Sequence, residues 1–128
     1  MKKILLVFLI SGLANSNPEV YFIEPKSGDI VSSTFTVKFG LSNFGVAPAG
    51  YDIPKTGHHH LLVNAGLPED LSLPIKADQN HIHFGLGQTE TEITLEKGAH
   101  RLRLLLGNYL HIPHNEPIFS EEIIVIVN

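Results

Sequence analysis

TFTVKFGL, residues 34–41, decides the fold. Phe35, Val37, Phe39 and Leu41 recur at every second position, with Thr34, Thr36, Lys38 and Gly40 between them. A two-residue period belongs to a half-buried β-strand, whose side chains alternate between two faces. RLRLLL (101–106) repeats the pattern with Leu102, Leu104 and Leu106. EEIIVIV (121–127) is apolar at successive positions and suits a strand covered on both sides. Shorter candidates run over 20–24, 59–64, 80–84 and 91–96, and Gly and Pro punctuate the gaps. No stretch carries the period of an amphipathic helix. The expected strands are therefore 20–24, 34–41, 59–64, 80–84, 91–96, 100–106 and 121–127. About seven short strands in a chain of this length imply an all-β protein, a single immunoglobulin-like β-sandwich. A small barrel or jelly roll is the alternative, since the cysteine–tryptophan–cysteine signature of antibody domains is absent.

Upstream of the first strand the chain opens MKKILLVFLISGLANS. Lys2 and Lys3, the apolar run Ile4–Ile10, and small residues at Gly12 and Ala14 make residues 1–16 a secretory signal peptide, too short for a membrane span. Residues 17–128 then form one domain, expected to be periplasmic or extracellular. The formal charge of −4 becomes −6 without Lys2 and Lys3, a balance unsuited to nucleic acid or an anionic membrane. There is no cysteine, and the one methionine is Met1. A metal held by this chain must accept nitrogen and oxygen ligands.

All eight histidines fall between 58 and 114. In an up-and-down sandwich, the ends of strands 59–64 and 80–84 and the loop after 106 share one pole. That pole would gather His58, His59, His60, His81, His83, His111 and His114, leaving His100 at the other end. His58 and His60 point to one side of an extended strand, as do His81 and His83. Opposed residues on neighbouring strands sit about 4.5–5.5 Å apart at Cβ. His-x-His pairs on two strands can therefore share a metal, with His111 and His114 closing the site. His59 lies on the face of Leu61 and Val63 and reads equally as a core residue. Two long connections, about 17 residues before 59 and about 14 after 106, are of the length that tends to be functional.

GVAPAG (45–50), TGHHHLLV (56–63), HIHFGLGQTET (81–91) and LHIPH (110–114) resemble the family catalogued as domain of unknown function 4399, exported bacterial domains present in one or a few copies per protein. The resemblance spans residues 25–127. It implies that His58, His59, His60, His81, His83, Gln88, Thr89, Glu90, His111 and His114 are marked positions, and it brings no activity with it. Asn108 stands where the family pattern leads one to expect an aspartate, which weakens any role for a carboxylate there.

Imidazoles without sulfur suit Cu(II) or Zn(II), that is copper or zinc, and export to an oxidising space, where Cu(II) is the available state, favours copper. Glu90, or Asp52 in the long loop before residue 59, is the oxygen candidate, as ligand or as an acceptor orienting an imidazole. Motifs for catalysis are missing: no HExxH, GxSxG, cysteine nucleophile or phosphate loop occurs, and Glu90 and Glu92 read as surface charge. The expectation is an exported copper- or zinc-binding protein for storage, buffering or delivery rather than catalysis. The alternatives are a module that binds a protein, peptide or glycan, with the histidines as a hydrogen-bonded cluster, and a domain loosened by histidine protonation.

Overall fold

The computed structural model describes residues 3, 4 and 16–128. Most of the expected signal segment lies outside the described residues. Among the described residues no helix is long and apolar enough to cross a membrane. The described residues form nine strands: β1 (Glu19–Glu24), β2 (Ile30–Val31), β3 (Thr34–Ser42), β4 (Gly45–Val46), β5 (Thr56–Val63), β6 (His81–His83), β7 (Glu90–Thr94), β8 (Gly98–Gly107) and β9 (Ile123–Val127). All seven expected strands are present. β2 and β4 are two-residue additions that loop segments make by parallel pairing, with β9 and β5 respectively.

Two sheets pack as a sandwich. The smaller has the order β1-β3-β7, and the larger β2-β9-β8-β5-β4, with β6 also paired to β5. The alternation in TFTVKFGL sends Phe35, Val37 and Phe39 inward, where Val20 and Phe22 of β1 join them. From the larger sheet Leu61, Val63, Leu102, Leu104, Leu106, Val125 and Val127 meet that layer, and Phe84 joins the same cluster. Each such side chain contributes about 1.5–3 kcal/mol by leaving water.

β5 departs from simple alternation. From Gly57 to Val63 it is buried on both faces. One face, with His59, Leu61 and Val63, looks into the sandwich. The other, with His58, His60 and Leu62, is covered from outside. The segment after β5 folds back over it, so that Leu62, Ile75 and Leu105 form a second, smaller core. The loop after β8 returns to the same place, where the Ile75 N–H donates to the His111 carbonyl at 2.8 Å. The histidines thus gather under loops on the outer face of the larger sheet, rather than on an open rim.

A buried histidine cluster as a candidate metal centre

The antiparallel register sets His60 opposite His83 on one side and Leu105 on the other, with His58 opposite Gly107. Gly107 is required by this packing: a Cβ there would lie 2.4 Å from His60 Cε1. The missing side chain is the space the imidazole fills. Gly57 does the same for His114, whose Cε1 would lie 2.8 Å from an added Cβ.

His111 reaches the cluster from the loop after β8. Its φ is +62°, in the left-handed region, which costs an L-residue about 1–2 kcal/mol. Asn108 holds the turn. Its Oδ1 accepts from the N–H groups of Leu110 and Ile112 at 2.8 and 3.1 Å, and its carbonyl accepts from His111 N–H at 2.9 Å. The His111 ring is thereby turned toward β5, with Nδ1 3.0 Å from His58 Nε2 and 3.3 Å from His60 Nε2. The three ligand nitrogens lie within 4.8 Å of one another. Metal–nitrogen bonds of about 2.0–2.1 Å separate ligand nitrogens by about 3.3–3.6 Å in tetrahedral or trigonal geometry. The two contacts of His111 Nδ1, at 3.0 and 3.3 Å, are close to that spacing, and the rings have to rearrange around an ion to bring all three nitrogens to it. A buried cluster of this kind can bind a metal.

His58, His59 and His60 are completely buried. Burial, and then the rings of His111, His83, His59 and His114, push His58 down to about 4. His60 is pushed down to about 2 by burial, then by His83, His58 and His111. His111 lies below the usual imidazole range, through burial first and His83 second. At neutral pH these rings are uncharged, the form in which imidazole ligates.

The hydrogen bonds set the tautomers. His58 Nδ1 and His60 Nδ1 are buried without partners. Placing the protons on Nε2 of both rings lets His111 Nδ1 accept both and leaves only bare lone pairs at the Nδ1 atoms. The opposite choice would bury the His58 Nδ1–H donor with nothing to receive it, which is the costlier arrangement.

The remaining sites from the sequence divide. His83 packs its ring 4.2 Å from that of His60 and 4.8 Å from that of His111. Its Nε2–H donates to the Lys76 carbonyl at 2.6 Å, so Nδ1 carries the lone pair. His81 is turned away, its Nδ1–H donating to Asp78 Oδ1 at 2.7 Å. His114 donates from Nε2 to the Thr56 carbonyl at 3.0 Å and stands edge-on to Phe44. His59 faces the sandwich interior, 5.0 Å from Phe39, with neither nitrogen partnered. Glu90 belongs to the other sheet, opposite Lys38, and does not reach the cluster. Asp52 is exposed and lines a groove with Tyr51, Lys55 and Tyr109. Gln88 Oε1 accepts from Leu86 N–H at 3.0 Å, and the Thr89 carbonyl from Phe39 N–H at 2.8 Å, so both shape the turn before β7. His100 is separate, bonded to Asn64 and the Glu96 carbonyl. Sequence reasoning missed Gly107 and Asn108 as positioning residues; turn chemistry at Asn108 was the available signal.

A family model described as Domain of unknown function (DUF4399) matches residues 37–128. No curated protein and no solved structure matches the chain. The chain belongs to the family of that domain, and the matched span includes every histidine of the cluster.

Proposed function

We propose that this family member is an exported metal-binding protein that takes up copper or zinc at His58, His60 and His111, with His83 beside them. Its role is buffering or delivery rather than catalysis. The observation that carries this reading is the convergence of three imidazole nitrogens within 4.8 Å, on a face that loops bury. Export rests on the opening MKKILLVFLISGLANS.

The second nitrogens bear on affinity. Metal at Nε2 of His58 and His60 moves their protons to Nδ1, and for His58 no acceptor waits there. Metal-binding histidines ordinarily donate that second N–H to an acceptor, and a buried bare donor costs about 1–3 kcal/mol. Such a site exchanges its ion more readily than one with a completed outer sphere, as buffering and delivery require.

The test is the metal content of the untagged chain from residue 17, purified after export, beside a His58→Ala/His60→Ala variant. Near one copper or zinc per chain, lost in the variant, supports the reading. An empty protein that also refuses added metal at about micromolar levels (near −8 kcal/mol) overturns it.

A second reading has its own observation. The rings already hydrogen-bond to His111, and a groove of about 290 Å³ lies beside them, lined by Tyr51, Asp52, Lys55, Tyr109 and His114. On this reading the histidines clasp the loops, and the groove, with Tyr51 62% exposed, receives a peptide or glycan. It gains if the metal test fails.

A further inference from the structure

The charge around the cluster narrows the choice of ion. The side chains that act most strongly on His58, His60 and His111 are all histidines. Among the described residues the group that could hold a metal contains no carboxylate. Asp78 is engaged with His81, and Glu90 stands on the opposite sheet. The outer sphere is sparse: no carboxylate bonds to His58 Nδ1 or His60 Nδ1, and the one backbone influence on His60 is the Leu105 carbonyl.

These absences act in one direction. The cost of taking an ion out of water rises with the square of its charge, so a divalent ion suffers roughly four times the penalty of a monovalent one. Proteins that hold divalent ions on neutral imidazoles recover part of that cost through outer carboxylates, which make the rings better donors. That support is missing here. A divalent ion also seeks four or more ligands, whereas three nitrogens on one buried patch complete the shell of a trigonal monovalent ion.

We infer that the cluster of His58, His60 and His111 is built for a monovalent d10 ion, Cu(I), in preference to Cu(II) or Zn(II). The inference rests on the metal-binding reading above and specifies its cargo. Three neutral rings and a buried face carry it. Copper held here would have its reduced state stabilised over its oxidised state.

The experiment is a competition titration of the untagged wild-type chain at neutral pH. Cu(I) is presented anaerobically with bicinchoninate as competitor. Zn(II) and Cu(II) are presented with chromogenic chelators of known affinity. The expected result is one Cu(I) per chain, bound at least about 100-fold more tightly than either divalent ion, which for copper corresponds to a rise of about 120 mV in the potential of the bound couple. Zn(II) or Cu(II) bound as tightly as Cu(I) overturns the inference and leaves the metal-binding reading standing. No binding of any of the three overturns both. A His83→Asp variant sets a carboxylate beside His60 on a partly exposed position outside the three-nitrogen group. Its preference for Cu(I) over Zn(II) should fall by about tenfold or more, equivalent to about 1.4 kcal/mol. An unchanged ratio in a folded variant contradicts the charge argument.

Discussion

Gly107 shows how closely single residues shape the cluster. His60 fills the volume that a side chain at 107 would take. Gly107→Ala therefore drives His60 off its position. We expect a loss of about 1–3 kcal/mol, as in overpacked cores, together with weakened metal binding. Denaturant unfolding and metal titration of the same variant check both effects, and an unchanged affinity would place the ion elsewhere. His59 is the opposite case. It buries two unpartnered nitrogens against Phe39 and offers no ligand nitrogen to the cluster. His59→Phe should be neutral or stabilising by up to about 1 kcal/mol, with metal binding intact. A loss of metal in that variant would show that His59 belongs to the site. The division between His58 and His60 on one face and His59 on the other was legible in the triplet, because extended chains alternate. That His58 and His60 would be buried was not, because the covering loops carry no periodic signal.

Among the elements, the loop after β8 decides whether a cluster exists at all. β5 supplies two imidazoles by register alone, whereas His111 arrives on a strained turn that Asn108 holds with its side-chain oxygen. An aspartate at 108 would accept the same two N–H bonds. Asn108→Asp should therefore keep stability within about 0.5 kcal/mol and preserve metal binding, while Asn108→Ala should cost about 1–3 kcal/mol and lower affinity as His111 is released. Thermal unfolding with and without metal separates these outcomes, and equal behaviour of the two variants would remove Asn108 from this role. β1, β3, β5, β8 and β9 were readable because each buries an alternating face or a continuous run, whereas β6 is three half-buried residues. β2 and β4 were not, since two-residue parallel pairings depend on where loops come to rest. The convergence of His83 with His60 followed from strand pairing. The diversion of His81 to Asp78 and of His114 to the Thr56 carbonyl followed from local loop geometry that spacing does not encode.

For the whole molecule, buried neutral rings tie stability to pH. In the folded chain His58 and His59 are held down to about 4 and His60 to about 2. Unfolded histidines take up protons near 6.5. Below about pH 6.5 the unfolded chain therefore binds more protons, and acid favours unfolding. The contribution of these rings to stability is complete above about 6.5 and falls as pH drops, by up to about 1.4 kcal/mol per pH unit for each ring. The loss levels off near 4 for His58 and His59 and continues lower for His60. Urea unfolding of the metal-free chain at about pH 7.5 and about pH 5 should give a clearly lower midpoint in acid. Equal midpoints would mean that the rings are not buried in neutral form.

The account as a whole turns on three imidazoles holding one ion on the outer face of the larger sheet. The measurement that reaches it most directly is X-ray absorption of the copper-loaded wild-type chain. The account predicts a first shell of three nitrogens at about 2.0 Å, with the outer-shell scattering of three imidazole rings and no sulfur. His111→Ala should reduce that shell by one ring. A shell dominated by oxygen, or one that His111→Ala leaves unaltered, would contradict it.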